Sequence, residues 1–219
     1  MIVQSQQGVT LVGAGRFSAA ALADALALAP HLVAADGGAD SALRAGHMPE
    51  AVIGDLDSLT ARARALIPPG RIHRIAEQET TDFEKALRSV AAPFVLGLGF
   101  AGGRLDHTLS AMNVLARHPG RRCLLVSGRD VTFHLPAELR LVLPVGTRLS
   151  LFPMAPVQGE SAGLRWPLGG LSLAPDGMTA TSNRTSAPEV RLAPGGPGLL
   201  AILPRAHLDA ALAGLLEAG

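Results

Sequence analysis

Ala51-Val52-Ile53-Gly54-Asp55-Leu56-Asp57-Ser58 is a short apolar run that stops abruptly at two carboxylates. Bounded by turn-forming residues and too short for a helix, the run reads as a buried strand. Working outward, similar runs at residues 9–12, 32–35, 71–75, 94–98 and 122–126 alternate with helix-like stretches at 18–28, 39–45, 60–66, 82–91 and 106–117. Several of these stretches open on Ser, Thr or Asp at a plausible N-cap. This β-α rhythm predicts an α/β fold class, with a Rossmann-like parallel sheet that carries helices on both faces. Asp55 and Asp57 then stand at the carboxyl end of a strand, where open parallel sheets bind their ligands.

Past residue 128 the pattern changes. Short runs at 131–135, 139–143, 148–152, 178–181, 190–192 and 199–203 are separated by Pro and Gly, which predicts a C-terminal antiparallel β-sandwich. Residues 207–217 carry leucines at 208, 212, 215 and 216 and read as a short amphipathic helix. The expected organisation is an α/β domain over 1–128 and a β-sandwich domain with its terminal helix over 129–219, a division that suits 219 residues.

A hydrophobic fraction of 48% supports a real core. The formal net charge of +1, with no Lys/Arg run, argues against nucleic acid or an anionic membrane as principal partner. No apolar run approaches the ~18 residues of a spanning helix, and Met1 to Ser5 lack the basic start of a signal peptide, so a cytoplasmic protein is expected. Cys123 is the only cysteine and lies in a strand-like run, where it reads as a small buried hydrophobe. Among 19 basic residues only Lys85 is a lysine. A compact ammonium and a planar guanidinium meet a phosphate differently, so its position carries information.

Three segments concentrate the chemistry. Side chains two apart in an extended segment point the same way, so Asp55 and Asp57 can approach one Mg²⁺; the same residues also read as an Asp-rich turn in which Asp57 or Ser58 caps the next helix. In Thr80-Thr81-Asp82-Phe83-Glu84-Lys85, Thr81 and Glu84 have capping-box spacing, which puts Asp82 in the first helical turn and Lys85 on the same face. Asp82 and Lys85 then address a metal and a phosphate chain, or Asp82 simply complements the helix dipole. In Gly102-Gly103-Arg104-Leu105-Asp106-His107, Arg104 can clamp phosphate oxygens while Asp106 accepts from an amino-heterocycle or caps the following helix. His107 reads as a hydrogen-bonding residue rather than a base. Asp36-Gly37-Gly38 ends another strand, where glycines allow a ligand's close approach. Gly13, Gly15, Ser18 and Asp36 imitate a dinucleotide fingerprint without its final glycine, and no GxxxxGK[ST] loop exists.

Taken in order, Asp36-Gly37-Gly38-Ala39, Gly54-Asp55-Leu56-Asp57-Ser58, Thr81-Asp82-Phe83-Glu84-Lys85-Ala86-Leu87, Gly102-Gly103-Arg104-Leu105-Asp106-His107, Gly163-Leu164-Arg165-Trp166-Pro167-Leu168 and Ser182-Asn183 resemble the thiamine pyrophosphokinase family. The resemblance implies an α/β catalytic domain, a C-terminal β-sandwich and a homodimer with active sites between subunits. It implies transfer of the β,γ-pyrophosphoryl group of ATP to the hydroxyethyl oxygen of thiamine, with release of AMP. By motif, Asp55, Asp57 and Asp82 would bind Mg²⁺, and Gln78, Thr81, Lys85 and Arg104 would lie near the phosphates. Asp36, Gly37 and Gly38 would contribute to the nucleotide site. Asp106 would face the thiamine aminopyrimidine, with Ser182 and Asn183 approaching from the β-domain. The family often has asparagine where Asp40 stands here. Trp166, the only tryptophan, is expected in the sandwich core. Two other readings remain beside this one: pyrophosphoryl transfer to another alcohol such as a hydroxymethylpterin, and a non-catalytic nucleotide- or NAD-binding module.

Overall fold

The computed structural model describes residues 1–218. The fold is mixed α/β, with a large mixed sheet and a separate antiparallel sheet. The chain divides into two compact units: Met1–Met112 with Leu125–Gly128, and Asn113–Leu124 with the chain from Arg129 onward.

The elements through residue 128 are β1 Val3–Gln4, β2 Val9–Val12, α1 Ala19–Leu28, β3 His31–Ala35, α2 Gly38–Arg44, β4 Ala51–Gly54, α3 Ala61–Leu66, β5 Ile72–Arg74, α4 Asp82–Ser89, β6 Val90–Ala91, β7 Val95–Leu98, α5 Leu105–Arg117 and β8 Cys123–Val126. Within the first unit β2 pairs with β7, β3 with β4, β4 with β5 and β1 with β6, all in parallel. Residues of β2, β4 and β7 are buried throughout, which is why these strands read as unbroken apolar runs rather than alternating ones.

The hydroxyls of Ser18, Thr60 and Thr81 accept hydrogen bonds from the amides of Ala21, Ala63 and Glu84, so the expected N-caps start α1, α3 and α4. Neither Asp57 nor Ser58 caps α3. Asp40 supports that cap instead: its carboxylate accepts from the Thr60 amide at 3.2 Å and from the Thr60 hydroxyl. The departure from asparagine at this position thus has a local task. The stretch expected as helix to residue 91 stops at Ser89, because fully buried Val90 leaves the helix to pair with Val3. At the start of α2 only glycine fits, since a Cβ on Gly38 would lie 2.1 Å from the Val12 carbonyl oxygen.

The later elements are β9 Asp130–His134, β10 Leu139–Val142, β11 Ser150–Pro153, β12 Gly159–Ala162, β13 Glu189–Pro194, β14 Leu199–Pro204 and α6 Leu208–Glu217. Here pairing is antiparallel: β14 lies between β9 and β11, and β13 between β10 and β12. Phe133, Leu139, Leu141, Leu151, Val190 and Leu203 are buried to 1% exposure or less. Along β10 and the first four residues of β13, buried and exposed residues alternate, as expected of strands with one wet face.

Two expectations for this unit fail. Residues 178–181 form no strand; Ala180 exchanges both backbone hydrogen bonds with Leu151 at 2.9 and 3.1 Å, and the bridge extends no further. Trp166 is 52% exposed rather than in the core, with the Arg165 guanidinium 4.9 Å from its ring centroid. Its backbone is what the fold holds, through the buried side chain of Asn183. Cys123 is buried as expected, and burial pushes its thiol up to about 12, so it is inert as a nucleophile.

Candidate active site

Strands β3 and β4 run parallel and end level, with Ala35 opposite Ile53. Each therefore delivers a carboxylate at the same edge of the sheet. Asp36 follows β3 in a left-handed conformation, φ +41°, and its amide donates to the Ile53 carbonyl. Its carboxylate is buried, and its Oδ2 accepts from the Ser58 amide at 3.1 Å. Leu56, also left-handed at φ +69°, tucks its side chain inward and turns the chain between Asp55 and Asp57.

Asp55 sits at the centre of this turn. Its Oδ2 accepts from the Gln78 amide at 2.9 Å and lies 3.7 Å from Lys85 Nζ, while its Oδ1 accepts from the Asp57 amide at 3.2 Å. The Gln78 bond, helped by the Asp57 amide and the Lys85 charge, holds the Asp55 carboxyl below the usual carboxylate range despite some desolvation. Gln78 is presented by a loop that Glu77 closes on itself, accepting from the amides of Glu79 and Thr80 and from the Thr80 hydroxyl.

Helix α4 supplies the remaining charges. Asp82 Oδ1 accepts from Lys85 Nζ at 3.3 Å, one helical turn on, and from the Asp55 amide at 3.3 Å. Lys85 is 1% exposed, so the only lysine of the chain is buried against two carboxylates. Gly54 makes this approach possible: a Cβ there would lie 2.9 Å from both Asp36 Cβ and Asp82 Oδ1.

These groups face a cleft of about 610 Å³ within the first unit. Asp36, Asp55, Gln78, Thr81, Asp82 and Lys85 line one part, and Arg104 with His107 another. Arg104 is tied to Asp106 by two hydrogen bonds of 3.1 and 2.5 Å, and at 72% and 63% exposure this pair contributes little to stability. Asp106 is therefore engaged with Arg104 rather than standing apart from it. Gly37 lines the cleft, whereas Gly38 serves the packing of α2 against the Val12 carbonyl. Gly13 and Gly15 also have a packing reason, because a Cβ on Gly15 would lie 2.4 Å from the Gly99 carbonyl oxygen.

The carboxylates whose oxygens all lie within 4.8 Å of one another are Asp36, Asp55 and Asp57, and such a cluster can hold a metal ion. Reading by motif put Asp82 in that place. Reading by motif also passed over Glu77 and the tilted pair Phe83 and Phe100, whose ring centroids are 4.4 Å apart on the cleft wall. The one sequence signal for the pair is a phenylalanine just beyond a glycine at the end of β7.

Ser182 and Asn183 belong to the second unit. Ser182 is exposed at φ +61°, its amide bonded to the Ser150 hydroxyl at 2.9 Å. Asn183 is spent on backbone: its Oδ1 accepts from the amides of Trp166 and Arg184, and its Nδ2 donates to the Trp166 carbonyl at 2.7 Å.

Residues 22–125 match the family model described as thiamin pyrophosphokinase, catalytic domain. Over 169 residues the chain is 27% identical to thiamine pyrophosphokinase 1 of Oryza sativa subsp. japonica, a match that covers 68% of this chain and 64% of the relative. Over this segment the chain is similar to the thiamin pyrophosphokinase family. Thiamine pyrophosphokinase 1 of Arabidopsis thaliana is 26% identical, with 65% of this chain and 60% of that one covered, so the chain spans less than two thirds of the length of these curated family members. Among solved structures, the thiamin pyrophosphokinase of Geobacillus thermodenitrificans has a similar fold, with a TM-score of 0.73 at 23% identity, covering 90% of this chain and 96% of its own. That of Candida albicans gives 0.76 at 17% identity, with 92% of each chain covered. No helix among the described residues is long and apolar enough to cross a membrane.

Proposed function

We propose that this protein is an ATP-dependent thiamine diphosphokinase, transferring the β,γ-pyrophosphoryl group of ATP to the hydroxyethyl oxygen of thiamine and releasing AMP. The observation that carries the reading is buried Lys85 between Asp55 and Asp82 in a cleft at the ends of parallel strands. A fixed ammonium beside oriented carboxylates suits a polyphosphate whose charge must be balanced at one place. The match to the family model over residues 22–125 and the named relatives support the choice of reaction.

The donor set fits Mg²⁺: all the clustered ligand atoms are carboxylate oxygens, and the buried Asp36 carboxylate has an oxygen, Oδ1, without a hydrogen-bond partner. Asp55 and Asp57 would hold the ion together with a third carboxylate, which motif matching assigns to Asp82. An ion bound there would supply positive charge to neutralise the phosphate oxygens. Lys85 is held by Asp55 and Asp82 in one orientation, so it meets the phosphates without reorganising. Gln78 keeps Asp55 ionised and turned toward the cleft. Arg104, which reaches the cleft from an exposed segment, adds charge to the outgoing or incoming phosphate. Asp106 would meet the aminopyrimidine.

The proposal extends to the organisation implied by the resemblance: a Rossmann-like catalytic domain over 1–128, a β-sandwich over 129–219, a homodimer and a cytoplasmic location. The test is an AMP-release assay with ATP, Mg²⁺ and thiamine, with mass detection of the product and a control without thiamine. Thiamine-dependent AMP with thiamine diphosphate supports the reading. AMP release only with a hydroxymethylpterin moves it to another pyrophosphokinase, and no turnover together with nucleotide or NAD binding moves it to a binding module.

A further inference from the structure

We propose that Glu77 is a positioning residue for the phosphate end of the cleft: it folds the 77–80 loop so that Gln78 reaches Asp55 beside Lys85. The inference rests on the pyrophosphoryl-transfer reading above and adds a residue that the motifs pass over. Strand β5 ends at Arg74 and helix α4 begins at Asp82, so the segment between them has neither ladder nor helix to shape it. Glu77 takes that part. Its Oε2 accepts from the amides of Glu79 and Thr80 at 2.8 and 3.0 Å, and its Oε1 accepts from the Thr80 hydroxyl. An ionised carboxylate is an acceptor only, and three donors converge on this one. The Thr80 hydroxyl is the largest influence on the Glu77 carboxyl and holds it below its usual range.

The loop thereby separates the residue that shapes it from the residues that face the ligand. Gln78, Thr80 and Thr81 line the cleft, whereas Glu77 does not. With Glu77 holding the loop closed, Gln78 Nε2 donates to Asp55 Oδ2 at 2.9 Å. Lys85 Nζ lies 3.7 Å from the same oxygen. Two donors from separate segments thus meet at one atom, and their spacing depends on where the loop sits against α4. Glu77 links these two as well, because its Oε1 lies 3.6 Å from Arg88 Nη2 in the last turn of the helix that carries Lys85. Arg88 is 48% and Glu77 33% exposed, so this ion pair adds little stability, and its effect falls on orientation. Thr80 is spent in the same way: its hydroxyl donates to Glu77 rather than to a phosphate oxygen. A small displacement of a positioned group is enough to slow a reaction that depends on alignment.

The experiment is a double-mutant cycle of Glu77→Ala and Gln78→Ala in kcat/KM for ATP, read by thiamine-dependent AMP release. Beside it, the Gln78 side-chain carboxamide signals are followed in ¹⁵N–¹H spectra of the protein without substrates. E77A is expected to lower kcat/KM about tenfold in the wild-type background and no more than about twofold once Gln78 is alanine. Its Gln78 carboxamide signals are expected to move to the positions they hold in the urea-unfolded chain. Glu77→Gln keeps one acceptor oxygen and is expected to stay nearer to wild type in both readouts. A purely structural role predicts equal losses in the two backgrounds; that result, or Gln78 signals unmoved in E77A, overturns the proposal. Should E77A not fold, E77Q and its cycle with Q78A make the same comparison. The spectra need no substrate, so they separate this inference from the reaction: a chain inactive with thiamine whose Gln78 signals move in E77A refutes the proposed function and leaves the role of Glu77 standing.

Discussion

At the scale of single residues, Asp36 and Lys85 are the two charges that burial makes most consequential. Desolvation, only partly offset by the Ser58 amide and reinforced by the Asp82 and Asp55 charges, pushes the Asp36 carboxyl up to about 6 from an ordinary 3.8. An acid whose folded value is raised binds its proton more tightly in the native state, so its contribution falls as pH rises from about 4 to about 6. Other carboxylates act in the opposite direction, which makes a difference measurement necessary. Without metal, Asp36→Asn is expected to gain on wild type by about 2 kcal/mol across that window, and urea unfolding at pH 4 and pH 6.5 checks it. A difference independent of pH refutes the assignment. Lys85 behaves in the other sense: Lys85→Met removes the cation that Asp55 and Asp82 both face. Breaking one side of a buried pair is expected to cost about 3 kcal/mol, and the loss is smaller in an Asp82→Asn background, as a double-mutant cycle of unfolding free energies will show.

At the scale of elements, the end of β4 is where fold and site meet. Gly54 closes the strand and leaves the space that Asp36 and Asp82 occupy. Gly54→Ala puts a methyl 2.9 Å from both side chains, so the strand end or the carboxylates must move. The expected result is a loss of about 1–3 kcal/mol in thermal unfolding, with Mn²⁺ and nucleotide affinity falling further than that strain alone explains. Unchanged binding shows that the cluster tolerates displacement. This element was legible in the sequence because an apolar run, a glycine and two aspartates are local signals. The caps Ser18, Thr60 and Thr81 were legible for the same reason. What escaped depends on partners distant in sequence. β12 alternates half-buried and exposed residues and is a strand only because β13 pairs with it. Val90 leaves α4 only because Val3 is there to receive it. Asp36 was read as a nucleotide contact at a glycine turn. That its Oδ1 is left alone, beside a turn about twenty residues on, is set by the register of β3 with β4, which no local pattern records.

At the scale of the whole molecule, the implied homodimer makes a claim about surface. In the second unit, β10 pairs only with β13 among the described residues, so one edge of that strand is without a ladder. At its end Val142 is 76% exposed, and nearby Val145 is 61% exposed. Helix α6 reaches this edge at Gly214, where a Cβ would lie 2.5 Å from the Arg140 carbonyl oxygen, but it leaves Val142 and Val145 as an exposed apolar patch, and such a patch invites association. A second copy of this chain would cover it, consistent with a net charge of only +1, which offers little repulsion between copies. Light scattering after size exclusion is expected to give about twice the 22.5 kDa chain mass at micromolar concentrations. Val142→Glu, alone or with Val145→Glu, is expected to bring the mass to that of one chain while far-UV circular dichroism is unchanged, because both side chains already face solvent within the monomer. A dimer that survives both substitutions places the contact elsewhere, and a wild-type chain that runs as a monomer at these concentrations removes the homodimer from the proposed function. If the dimer dissociates and thiamine turnover is lost while Mn²⁺ binding stays intact, the first unit holds the cation by itself and catalysis requires the second copy.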